Sequence, residues 1–90
     1  MSHSDQNKTT VYIHNRKYTI VGDEPPHQIQ LIADMVDEKM REIQETNPRL
    51  DTAKLAVLTA VNTMNDYIQL KEENRLLAEQ MRRGERRKNG

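Results

Sequence analysis

The chain has 90 residues, 31% of them charged and 34% hydrophobic, with three aromatic residues (Tyr12, Tyr18 and Tyr67) and no cysteine. That excludes a disulfide scaffold, a thiolate metal site, a cysteine nucleophile and an active-site cleft between two domains. The formal charge is zero but uneven: residues 82–90 carry five basic residues and one acidic residue, which leaves the other 81 at −4.

Leu, Ile, Val and Phe make up one fifth of the residues, at the border between folded and disordered compositions. A chain this polar buries little apolar surface alone, so a homo-oligomer is expected. No apolar run approaches the roughly 20 residues that span a bilayer. The opening residues Met1 to Lys8 lack the apolar core of a signal peptide. The expectation is a cytoplasmic protein without membrane insertion.

Residues 1–8 read as a disordered polar lead-in. From Thr9 to Gly22 the pattern is a β-hairpin: Val11 and Ile13 alternate with polar neighbours, and Tyr18 and Ile20 do so again. A turn centred on Asn15-Arg16 sets Ile13 opposite Tyr18 and Val11 opposite Ile20. All four then share one face. Asn15 tolerates the positive φ of such a turn; Arg16 is not the usual glycine.

Gly22-Asp23-Glu24-Pro25-Pro26 stops the hairpin, and Pro26 suits the first position of a helix running to about Glu45. Its core stripe is Ile29, Ile32, Val36, Met40 and Ile43, with Ala33 beside it. Leu31 and Met35 form a second, shorter stripe. Asp37 and Glu38 are both placed to pair with Arg41 on the outer face. Asn47-Pro48 ends the helix.

Asp51 is a good N-cap for the next helix, with Leu50 and Leu55 placed as a hydrophobic staple. No glycine or proline follows until Gly84. About 33 residues at 1.5 Å each span roughly 50 Å, more than a small head can cover. From Ala53 to Val61 seven of nine residues are apolar, which points to a core shared between chains. Beyond Ile68 the pattern narrows to Tyr67, Leu70, Asn74, Leu77 and Met81, an a/d seam of about two heptads. Asn74 stands at an a position, where an amide selects register, and Asp66 and Lys71 take g and e positions. The expected oligomer interface is Leu55, Val57, Leu58, Val61, Met64, Tyr67, Ile68, Leu70, Asn74, Leu77 and Met81.

The organisation is therefore α+β: a ββαα chain with an N-terminal β-hairpin, a short helix and a long C-terminal coiled-coil helix. Its expected divisions are 1–8, a head at 9–50, the long helix at 51–83 and a basic tail at 84–90. Catalytic chemistry is not expected. His3, His14 and His27 lack metal-ligand spacing, the three glycines form no phosphate loop, and Ser2 and Ser4 lie in the lead-in. No metal, cofactor or enzymatic activity is expected; the residues alone point to a coiled-coil homo-oligomer that binds another protein.

Three segments resemble a known family. Val11 to Ile20 is similar to its opening hairpin, Ala33 to Ile43 to its first helix, and Leu55 to Asn62 to the start of its long helix. Together, in this order and spacing over residues 9–80, they resemble the bacterial cell division protein ZapA family in its short form. One departure is Asn15, where the family usually has glycine. The resemblance implies dimers that can pair into tetramers, and binding to the tubulin-like FtsZ, whose protofilaments are crosslinked and bundled at the mid-cell Z-ring. It implies basic head residues as contacts for an acidic FtsZ surface. Arg16 corresponds to the family's basic turn residue, Lys17 stands beside it, and Lys39, Arg41, Arg49 and Lys54 are further candidates. A ribbon-helix-helix DNA binder fits less well, because it uses one strand per chain and a basic ribbon. Nucleic acid is therefore not an expected partner. Another coiled-coil adaptor is the remaining alternative.

Overall fold

A computed structural model describes the backbone of residues 6–89 and the side chains of residues 6–84. The element order is β1 (Asn7–Ile13), β2 (Arg16–Gly22), α1 (Pro26–Thr46) and α2 (Thr52–Asn89). This is the expected ββαα order. β1 begins at Asn7, so Asn7 and Lys8 belong to the sheet and not to the lead-in; residues 1–5 lie outside the described residues.

The hairpin register differs from the expected one. Ile13 pairs with Arg16, Tyr12 with Lys17 and Val11 with Tyr18, so the two turn residues are His14 and Asn15. Both have positive φ, 53° and 65°. A two-residue turn that matches the strand twist needs positive φ at both central positions. Asn and His enter that region far more readily than Arg, so the turn forms one residue earlier than the alternation suggested. Moving the turn by one residue leaves every side chain on its original face, and hydrophobic alternation cannot detect the change.

One hairpin face packs on α1. Val11 is fully buried with Ile29 and Ala33, and Ile13 and Ile20 pack against them. Helix α1 starts as expected: Pro25 is extended and Pro26 occupies the first turn, where its missing N–H costs nothing. Its buried line is Ile29, Ala33 and Met40, with Val36, Asp37, Ile43 and Gln44 half-buried. Ile32 is 44% exposed, and its neighbour Ala33 lies in the core with Val11 and Ile29 instead. Leu31 and Met35 stay exposed. At the far end the Asn47 N–H reaches the Ile43 and Gln44 carbonyls, and its side-chain amide also donates to Ile43.

Asp51 caps α2: its Oδ1 accepts the Lys54 N–H at 2.8 Å. Leu55 at the fourth helical position is fully buried, and Thr59, one turn further on, is buried with its hydroxyl donating back to the Leu55 carbonyl. The chain divides into two units after Thr59, inside α2 and not at residue 50. The first turns of α2 therefore belong to the head. In the second unit α2 runs on through Gly84 to Asn89, where the composition suggested a break. A lone glycine costs a helix only about 1 kcal/mol, too little by itself to end it.

Candidate partner-binding surface

The hairpin and α1 have opposite charge. Residues 7–22 hold Lys8, Arg16 and Lys17 and no acid, whereas residues 26–46 hold five acids against Lys39 and Arg41. Arg16 is the first residue of β2, beside the turn and not at its tip, and it is exposed. Lys17 is also exposed, but successive strand residues face opposite ways. Arg16 shares the Val11 face, and Lys17 shares the outer face with its cross-strand partner Tyr12. The two cations expected to act together thus point to opposite sides of the hairpin.

The helix candidates separate by environment. Arg41 is 71% exposed but pairs with Asp37, whose side chain is only 15% exposed. Asp37 also accepts the backbone N–H of His14 at 2.7 Å, and the His14 Nε2 lies 3.4 Å from the Gln44 Oε1. This carboxylate was expected on the outer face beside Glu38; it lies instead half-buried against the hairpin turn. Lys39 is half-buried. Arg49 borders an open hollow with Asn47, Pro48 and Leu50, and Lys54 borders a second, more apolar one with Leu50, Ala53, Val57 and Leu58. Arg49 and Lys54 are therefore gathered around Leu50, while Arg41 is linked to the hairpin turn through Asp37.

The residues expected at an oligomer interface also divide. Leu55 is withdrawn into the head and is unavailable to a second chain, and Leu58 is half-buried. Val57, Val61, Met64, Tyr67, Ile68, Leu70, Leu77 and Met81 are each more than half exposed, and Asn74 is exposed. At about 100° per residue, Val57, Val61, Met64 and Ile68 form one stripe. Tyr67, Leu70, Asn74, Leu77 and Met81 form another, roughly 130° around the helix. Beyond Ile68 the first stripe's side of the helix turns polar, and charges pair along it: Arg75 with Glu72 at 2.7 Å and with Glu79, and Arg83 with Glu79. The hydrogen bond from Arg75, more than its charge, lowers the pKa of Glu72, and Glu72 raises that of Arg75 in return. Lys71 lies 5.7 Å from the Tyr67 ring centre, so a contact within the chain already engages the expected e position.

Sequence reasoning missed His14, Asp37 and Gln44 as a linked set. Its only trace was the Asp37–Arg41 spacing. Among the described residues no three His, Cys, Asp or Glu are grouped so as to hold a metal ion, and no helix is long and apolar enough to cross a membrane.

The fold and these surfaces define a class: a ββαα chain whose small basic-and-acidic head leads into a long helix with uncovered apolar stripes. The chain belongs to the ZapA family of cell division proteins, whose family model, "Cell division protein ZapA", matches residues 9–88. It is 62% identical over 73 residues to the cell division protein ZapA of Oceanobacillus iheyensis, covering 81% of this chain and 85% of that one. It is 55% identical over 78 residues to that of Geobacillus sp., covering 86% and 90%. Among solved structures it resembles a ZapA mutant dimer from Geobacillus stearothermophilus. That match has a TM-score of 0.68 and 46% identity, and covers 91% of this chain and 95% of the other.

Proposed function

We propose that this protein binds FtsZ in the cytoplasm at mid-cell, crosslinks and bundles its protofilaments, and so stabilises the Z-ring during septum formation. The observation that carries the reading is the pair of exposed apolar stripes on α2 in a chain of a cell division family. A second copy covering one stripe makes a dimer, and the related solved structure is a ZapA mutant dimer. The other stripe suits the pairing of dimers into tetramers. A crosslinker needs at least two equivalent heads, and two weak contacts engaged together give strong avidity. The basic hairpin supplies the contact to an acidic filament surface, with Arg16 foremost and Lys17, Arg49 and Lys54 as further contacts. No residue is assigned a catalytic role.

The test is pelleting of GTP-assembled FtsZ with the wild type and with Arg16→Glu. Arg16 is exposed beside the turn, so charge reversal leaves folding within about 0.5 kcal/mol. Bundle pelleting falls, and wild-type pelleting weakens as salt rises. Equal pelleting by both proteins would remove Arg16 from the contact; no pelleting by the wild type would remove the function.

A further inference from the structure

In a two-residue hairpin turn the N–H of the first central residue takes no part in the strand ladder. Here that group belongs to His14, and an α1 side chain satisfies it: the Asp37 carboxylate accepts it at 2.7 Å from 23 residues away. Arg41 holds the same carboxylate from one helical turn further on. A hydrogen bond to an ionised acceptor is shorter and stronger than a neutral one. The His14 ring reaches the Gln44 Oε1, seven residues after Asp37 and so on the same face of α1. Two α1 side chains thus hold the backbone and the ring of one turn residue that has positive φ.

We infer that Asp37 is a positioning residue that clasps the His14-Asn15 turn and thereby presents Arg16 to the partner. The apolar pattern is satisfied equally well with the turn at His14-Asn15 or at Asn15-Arg16, because both keep Val11, Ile13, Tyr18 and Ile20 on one face. The second register would draw Arg16 into the turn and change where its guanidinium points. Local preference for positive φ favours the first register. Asp37 adds a tertiary contact that exists only when the His14 N–H is turned toward α1. Asp37 thus acts on partner contact through Arg16 and touches no partner itself. This inference rests on the proposed filament contact.

The experiment uses the full chain with Asp37→Ala and Asp37→Asn, after circular dichroism and light scattering confirm fold and oligomer. Hydrogen exchange of the His14 amide is followed by NMR, and crosslinking by pelleting of GTP-assembled FtsZ. In Asp37→Ala the His14 amide exchanges at least tenfold faster and pelleting falls severalfold. Asp37→Asn keeps a carbonyl acceptor while losing the ion pair to Arg41, and restores most of both signals. Three results overturn the inference: unchanged His14 exchange in Asp37→Ala, fast exchange with full pelleting, or Asp37→Asn as impaired as Asp37→Ala. Should Asp37→Ala not fold, Asp37→Leu, which is of similar size and has no acceptor, takes its place: fast His14 exchange with reduced pelleting supports the clasp, and unchanged exchange refutes it. A wild type that fails to pellet with FtsZ counts against the function, and the exchange measurement still decides whether the clasp exists.

Discussion

Leu55 shows how one side chain changes an assignment. By composition it belongs with Val57, Leu58 and Val61 in an apolar run, and the run alone does not say which member turns inward. The cap does: Asp51 starts the helix, and the fourth residue after it faces the chain before the cap. Leu55 is fully buried in consequence. Leu55→Ala should cost about 2–5 kcal/mol, as for other buried leucines that leave a cavity. Urea unfolding at fixed protein concentration measures it. A loss below 1 kcal/mol would mean that the site is not enclosed. Arg16 and Lys17 make the complementary point. They are neighbours in sequence, yet strand alternation sends them to opposite faces, so single substitutions at the two positions should not be interchangeable.

At the scale of elements, most of the fold was legible. Pro26, Asn47-Pro48 and Asp51 set the helix limits through backbone chemistry that acts locally. The hairpin faces followed from alternation, but its register did not, because a turn moved by one residue leaves the faces unchanged. Ile32 was placed inward on spacing alone and is exposed, while Ala33 joins Val11 in the core; which of two neighbouring positions meets the hairpin depends on a second element and has no signature in the helix itself. The Asp37 clasp was illegible for the same reason. Gly84 tests the opposite case, a local signal that was read too strongly. It lies within α2 and nothing approaches the position of an added Cβ within 4 Å. Gly84→Ala should therefore raise helicity at 222 nm and add up to about 1 kcal/mol to the helix. A fall in helicity would show that the glycine is needed there. Further up the same unit, Glu72 has its pKa lowered by Arg75. The contribution of that pair is present above the ordinary glutamate range and fades as pH falls through the lowered value.

At the scale of the molecule, the exposed stripes of α2 decide whether a single chain is a finished fold. Apolar side chains left more than half exposed from Val57 to Met81 favour association in water. Val61→Asp would bring an unpaired charge into any interface that covers the first stripe, costing several kcal/mol of assembly. The wild-type thermal midpoint should rise with protein concentration, as it does when folding and association are linked. Light scattering and melts at two concentrations check both statements; a stable folded monomer with a concentration-independent midpoint would refute them.

Because the head takes Leu55 and Thr59 from the long helix, the two parts are not separable modules. The loop at Asn47 to Leu50 looks like a natural splice point, but a graft cut there would remove a fully buried leucine and leave a void in its place. Chimaeras that exchange heads between relatives should be joined beyond Thr59, where the second unit begins. Swapping the rest of α2 for a helix of another protein likewise has to preserve its first two turns, since those turns belong to the thing being carried.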